Sequence, residues 1–162
     1  MPQRDSTEQI LRAIRRIIRR TAEHSRQVAL TTGLSVPQSL CLQFIGAARP
    51  NEEITVARVA EAVQLAPATV SRLLDRLEQA ELVARERRSQ DRRRVCLKLT
   101  SKGRKRLQKL PPMLQEHFTS RLEKLPKRKQ IELLHALESI VELMEAVDLD
   151  AAPMLDPKLA ID

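Results

Sequence analysis

A chain of 162 residues is long enough for one compact domain with its own core and short for two ordinary ones. Charged residues make up 31% against 42% hydrophobic, with only three Gly, which suits a helical globular chain and excludes a disordered or low-complexity one. The formal charge is +8, yet residues 82–109 alone hold 12 Lys/Arg against 2 Asp/Glu, a net +10, so the remainder sums to −2 and the excess is a local patch.

A patch this concentrated points to a polyanion, because neutralised phosphates release condensed counterions. No apolar run reaches the roughly 18 residues of a membrane span, and MPQRDSTEQ lacks the apolar stretch of a signal peptide. A cytoplasmic protein with no membrane partner is expected. Cys41 and Cys96, with three His, match no zinc or disulfide framework, so reduced thiols, no metal and no cofactor are expected.

Ser6 and Gln9 have capping-box spacing, after which Ile10, Leu11, Ile14, Ile17, Ile18, Thr21, Ser25 and Val28 recur on one helical face. The pattern predicts a first helix to about Thr32, stopped by Gly33. Its opposite face carries Arg12, Arg15, Arg16, Arg19 and Arg20, which reads as a solvated or partner-facing surface rather than a second nucleic-acid site. The apolar face needs a partner, either later helices of the chain or a second subunit.

Ser35 and Gln38 repeat the capping-box spacing with Pro37 in the first turn, predicting a second helix from Val36 to about Ala47 with Leu40, Cys41 and Phe44 inward. After the polar loop RPNEE, Thr55 caps a short helix with Val56, Val59, Ala60 and Val63 on one side. The turn QLAP then leads into a helix opening at Pro67. Short helix, tight turn and second helix make a helix-turn-helix.

In that second helix Val70, Leu73, Leu74 and Leu77 fix the buried face by the 3.6-residue period. The outward face is therefore Ala68, Thr69, Arg72, Arg76 and Gln79, with Ser71 at its flank. Small residues near the start, Pro67 and Ala68 among them, let a helix sit deep in a groove, and Arg reaches phosphates or guanine edges. Next, Leu82–Arg87 and Val95–Thr100 read as strands enclosing RSQDRRR. Such a hairpin lays guanidinium groups into a minor groove, with Arg87, Arg88, Arg92, Arg93 and Arg94 as candidates.

At this point the chain resembles the MarR family of bacterial transcription regulators, through LSVPQ, LAPATVSRLLDRLE, LVARERRSQDRRRVCLKLT and the SKG that opens the next helix. The resemblance covers about residues 8–147, and its most specific part is DRR followed by LT..G. It implies a single MarR-like domain over 1–147, with a winged helix-turn-helix core at about 36–100 and dimerisation helices at about 8–32 and 101–147. Residues 148–162, acidic and containing Pro, read as irregular. The fold class is thus mainly α with a small β-hairpin wing.

The resemblance further implies a homodimer on a pseudo-palindromic double-stranded operator. Thr69, Ser71, Arg72 and Arg76 would face the major groove, Arg93 would enter the minor groove, and Asp91, beside Gln90 in the wing, would brace it through an Arg. A small-molecule effector between two lobes implicates His24, Gln27, Gln38, Cys41 and His117. The segments PPMLQEHF and DAAPML carry a fainter resemblance to the branch controlling ectoine and other compatible-solute genes.

Two departures from the family pattern stand out. Ala66 replaces the usual Ser before Pro67 and supplies no capping oxygen, a loss of about 1 kcal/mol in typical caps. Glu81 replaces the usual Gly after the recognition helix, where a left-handed residue is expected and a non-glycine costs on the order of 1 kcal/mol. Beyond the wing, Thr100 caps a helix with Leu107, Leu110, Leu114, Phe118 and Leu122, interrupted by Pro111 and Pro112. After Pro126 a last helix places Ile131, Leu134, Leu137, Ile140, Val141 and Met144 on one broad face.

Catalysis is not expected, since the chain has no phosphate loop, nucleophile elbow or metal-spaced His cluster. A thiol-based redox regulator using Cys41 or Cys96 is the second mechanism; Cys96 shares its strand with Lys98, which lowers a thiol pKa when the two are neighbours. An RNA-binding module is the rival from another class. It stacks bases on aromatic rings, whereas this chain has only Phe44 and Phe118 and no Trp or Tyr. A purely oligomerising helical protein leaves the +10 segment unexplained.

Overall fold

The computed structural model describes residues 2–49, 52–87 and 95–147. In order these form α1 (Pro2–Thr32), α2 (Val36–Gly46), α3 (Val56–Val63), α4 (Pro67–Gln79), β1 (Val83–Arg87), β2 (Val95–Leu99), α5 (Ser101–Leu107), α6 (Leu114–Leu122) and α7 (Lys127–Leu143). The mainly helical class with a two-stranded antiparallel hairpin is the one expected. The described residues fall into two compact units, one up to Pro111 and the other from Pro112 onward.

In the first unit, one core joins Leu42 and Ile45 of α2, Val59 and Val63 of α3, Val70, Leu74 and Leu77 of α4, and Val83, Leu97 and Leu99 of the hairpin. Each such side chain contributes about 1.5–3 kcal/mol on burial, so the 3.6-residue pattern dictates which face of α4 is hidden. The hairpin register pairs Val83 with Leu99, Arg85 with Leu97 and Arg87 with Val95. Both strands are one residue shorter than predicted: Leu82 is a bend and Thr100 is the cap of α5.

Helix starts follow the predicted chemistry with one correction. Ser35 and Gln38 form a complete capping box on α2, and Thr55 accepts from the Arg58 amide at 3.3 Å. Thr100 does the same for α5 through the Gly103 amide at 2.9 Å. Ala66 makes no side-chain cap bond, as expected. The correction concerns α1, which starts at Pro2 rather than at the Ser6–Gln9 box. Proline's fixed φ and missing amide proton suit a first helical residue, so the helix gains a turn upstream.

Helix ends show what a chain with three Gly does without them. Gly33, at φ +70°, ends α1, but α3, α4 and α7 end on Gln64, Glu81 and Glu145, all left-handed with φ of 48°, 60° and 53°. At each, the paired bonds of a Schellman motif close the helix; for α4 these run from the Glu81 amide to Glu78 O at 2.8 Å and from the Leu82 amide to Leu77 O at 2.9 Å. The apolar residue following Glu81, Leu82, is buried with Leu77, which holds the motif despite its unfavourable residue.

Two backbone features were not foreseen. The loop read as RPNEE is followed by Ile54, whose carbonyl accepts from the Leu97 amide at 2.8 Å and extends the ladder of β2. Arg106 of α5 donates to the Thr32 carbonyl, 74 positions earlier, and so satisfies an orphan acceptor at the end of α1. The apolar face of α1 divides: Thr21, Val28 and Thr32 are buried, whereas Ile10, Leu11, Ile17 and Ile18 are about half exposed.

Further along, α5 ends at Leu107, ahead of Pro111 rather than at it, because the residue before a proline is excluded from the helical region and the chain must already have turned. In the second unit α6 and α7 leave their apolar faces open. Ile131, Leu134, Leu137 and Met144 are each at least half exposed, and Phe118, read from sequence as an inward residue, is 53% exposed.

Gly103 explains the SKG motif. A Cβ there would overlap the Leu82 carbonyl oxygen and lie 3.0 Å from its carbon, with backbone on both sides unable to yield. Gly103→Ala is expected to lower stability by about 1–3 kcal/mol despite alanine's better helix propensity, read as a lower midpoint in urea. Glu81→Gly relieves the left-handed strain and is expected to raise Tm by about 2–4 °C, less whatever the exposed Glu81–Lys102 pair contributes. Glu81→Gln, which keeps the Cβ, should not raise it; a lower Tm for the glycine variant contradicts the strain.

Candidate nucleic-acid interface

The outward face of α4 is set by its burial. With Val70, Leu73, Leu74 and Leu77 inside, Pro67, Ala68, Arg72 and Arg76 are exposed and Thr69 and Ser71 half-buried at the edges. The start of the helix is thus lined by small side chains and two arginines project a turn apart. Pro67 follows the turn Gln64–Ala66, whose left-handed Gln64 redirects the chain between α3 and α4.

Acidic residues on the same helix are occupied elsewhere. Arg85 of β1 reaches Asp75 at 2.6 Å and Glu78 at 3.5 Å, binding the root of the wing to α4. Lys98 pairs with Glu86 across the hairpin, and Lys102 with Glu81 at 2.8 Å. These pairs are partly exposed and contribute at most about 1 kcal/mol each, so their effect is on position and local potential rather than on stability. Among the described residues, neither Arg72 nor Arg76 has an ion-pair partner. The face is left cationic.

Sequence reasoning missed the Arg85 contacts. A signal was present: Asp75 and Glu78 stand three residues apart on one helical edge, and Arg85 is the inward-alternating member of β1 opposite Leu97. The wing candidates Arg88, Gln90, Asp91, Arg92, Arg93 and Arg94 lie outside the described residues, as does the segment DAAPML. Arg87 closes the register of β1 opposite Val95.

The candidate effector residues are not alike. His24 is buried on α1, Gln27 is exposed, and Gln38 is engaged in the α2 capping box, donating its backbone amide to Ser35 and accepting from the Ser35 amide at 3.0 Å. His117 is exposed on α6, and Cys41 is fully buried in the core. An open cavity of about 620 Å³ lies instead beside the end of α2, lined by Phe44, Ala48, Arg49 and Ile54 among others. Glu52, at its rim, accepts from the Arg49 amide and from Arg58, and these bonds hold its carboxyl below the usual carboxylate range.

Both cysteines are free and buried. Desolvation pushes the Cys41 thiol up to about 12, so it carries almost no thiolate near neutral pH. Cys96 is 6% exposed, and the ammonium of Lys98, its expected activator by spacing, points outward to Glu86. The structure therefore buries both thiols of the redox reading. Among the described residues no group of three metal-ligating side chains occurs, and no single helix is long and apolar enough to cross a membrane.

Residues 32–94 match the sequence model of the MarR family. HTH-type transcriptional regulator FarR of Neisseria gonorrhoeae is 36% identical over 76 residues, covering 47% of this chain and 52% of FarR. MgrA of Staphylococcus aureus, another HTH-type transcriptional regulator, is 36% identical over 80 residues, covering 49% and 52%. The chain thus matches about half the length of these curated relatives. Among solved structures, the S. aureus MepR–DNA complex superposes with a TM-score of 0.58 at 22% identity, over 82% of this chain and 94% of that one. A MepR-like protein complexed with pseudoligands gives 0.54 at 23%, over 89% and 97%. At that identity the structures show a common fold.

Cys41 is expected to resist thiol-directed alkylation at pH 8 in the folded protein and to react once denatured. Its raised pKa also makes the folded state lose stability as pH climbs from the ordinary thiol value toward about 12, because only the unfolded chain sheds the proton there. Loss of duplex binding on peroxide treatment, abolished by Cys41→Ser or Cys96→Ser, would establish redox sensing in spite of this burial.

Proposed function

We propose that this chain, whose residues 32–94 match the MarR family, is a sequence-specific double-stranded DNA-binding transcription regulator acting as a cytoplasmic homodimer. The observation that carries the proposal is the outward face of α4. Arg72 and Arg76 project without ion-pair partners among the described residues, while the helix's own Asp75 and Glu78 are turned to Arg85. A face of that kind presents bidentate donors to guanine edges and phosphates and no carboxylate to repel them.

In this reading α4 enters the major groove and Arg87, Arg88, Arg92, Arg93 and Arg94 of the wing follow the adjacent minor groove. Arg85 acts through position, holding the base of the wing at a fixed angle to the helix it accompanies. The exposed apolar faces of α1 and α7 support a second copy as the partner, since Ile10, Ile17, Leu134 and Leu137 are each about half exposed in one protomer. Two copies place two recognition helices on half-sites about one helical turn, roughly 10 bp, apart.

Regulation in this reading is repression released by a small ligand or stress signal. RNA binding is disfavoured by the lack of an aromatic platform, since Phe44 is half-buried against the core, Phe118 is a single exposed ring on α6 and the chain has no Trp or Tyr. Arg72→Ala is expected to relax preference at one base position per half-site by about 1–3 kcal/mol. Arg93→Ala is expected to weaken binding most on duplexes with A·T-rich flanks. Fluorescence-anisotropy isotherms at fixed salt measure both, and isotherms unchanged from wild type for both variants would refute the docking.

A further inference from the structure

The positive charge of this protein has a second concentration that the docking of α4 and the wing leaves unused. On α1, Arg12, Arg15, Arg16, Arg19 and Arg20 recur at i, i+3, i+4, i+7 and i+8, all exposed. Among the described residues the only ion pair they make is Arg15 with Glu8, long at 3.5 Å, and the acids Glu8 and Glu23 stand only at the two ends of the stripe, with none between Arg12 and Arg20. Like charges at these spacings repel by a few tenths of a kcal/mol per pair, and Glu8 and Glu23 relieve that at the ends of the stripe but not within it.

The stripe also has a defined direction. At about 100° per residue, Arg12, Arg16 and Arg19 lie roughly opposite the line of Ile10, Ile14, Ile17 and Thr21. A second subunit covering the apolar face therefore leaves the arginines open. All five positive side chains are Arg, and α1 contains no Lys. The guanidinium fork matches phosphate oxygens bidentately, where an ammonium makes a point contact. From Arg12 to Arg20 the helix rises about 12 Å, a length over which duplex DNA presents about seven phosphate charges at one per roughly 1.7 Å.

We propose that the Arg12–Arg20 stripe is a second, sequence-independent docking surface for the phosphate backbone of a duplex segment outside the one read by α4. It rests on the DNA-binding reading for its biological setting, because a protein already held on DNA meets further phosphates at high effective concentration. It goes beyond that reading in assigning to α1 a contact that carries no base information and adds only affinity and salt dependence. A dimer would carry two such stripes, one per protomer, and bridge neighbouring duplex segments.

The test uses the full chain and a 30-bp mixed-sequence duplex, with binding measured across 50–200 mM salt. Five proteins are compared: wild type, Arg12→Gln/Arg16→Gln/Arg19→Gln, Arg72→Ala/Arg76→Ala, the combination of both sets, and Arg12→Lys/Arg16→Lys/Arg19→Lys. Glutamine is nearly as good a helix former as arginine, and unchanged far-UV circular dichroism verifies the fold. The stripe variant is expected to lower the slope of log K against log salt by roughly 2–3 in either background, about 0.9 for each phosphate left unneutralised. Arg12→Lys/Arg16→Lys/Arg19→Lys should retain most of that slope.

An unchanged slope with the three glutamines overturns the proposal while leaving the α4 reading intact. A slope that falls with the glutamines but ignores Arg72→Ala/Arg76→Ala upholds the stripe and sinks the α4 reading instead. Vesicles containing phosphatidylserine provide the competing anionic surface. Tighter binding to them than to the duplex, dependent on the same three arginines, would overturn the assignment to nucleic acid.

Discussion

The carbonyl of Leu82 is the point on which the junction of α4, the hairpin and α5 depends. It accepts the Thr100 amide at 3.1 Å, and Gly103 packs so closely on it that no side chain fits. The Leu82 amide closes α4 on the Leu77 carbonyl, and the Thr100 hydroxyl, which caps α5, also donates to the Glu81 carbonyl at 2.6 Å. The end of α4, the root of the hairpin and the start of α5 therefore converge on Glu81 and Leu82. A strained left-handed Glu81 is tolerated there because the surrounding bonds over-determine it.

From that junction the charge distribution follows. Arg85 leaves the hairpin root toward Asp75 and Glu78, Lys102 goes to Glu81, and Lys98 to Glu86, so each of these four acids is paired with a base. What remains outward is Arg72 and Arg76. The pairs are individually weak in water, and their consequence is electrostatic sorting: the carboxylates beside the face are neutralised, at the expense of part of the net +10 of residues 82–109. The arginine stripe of α1 is sorted differently, by being placed opposite an apolar face rather than by pairing.

Much of this was legible from residue pattern alone, and the failures have physical reasons. The buried face of α4 could be read because Val70, Leu73, Leu74 and Leu77 obey one period, and the caps Ser35, Thr55 and Thr100 because they bond within three residues. The early start of α1 was not, since a capping-box spacing inside a helix looks the same as one at its end. The Ile54–Leu97, Arg106–Thr32 and Arg85–Asp75 contacts join residues 43, 74 and 10 positions apart, and no local period encodes such pairings. Cys41 illustrates the other limit: its helical position suggested a buried thiol, but only its packing gives the size of the desolvation that silences it.

The central claim, that α4 and its paired wing read duplex sequence as a two-fold assembly, is tested most directly by selection of bound duplexes from a random pool with the full chain. The account predicts enrichment of a pseudo-palindrome whose half-sites repeat at about 10 bp. It also predicts that Arg72→Ala loses the preference at one position in each half-site. A pool that stays random after several rounds, or an enriched motif with one half-site that Arg72→Ala leaves unaltered, would contradict it.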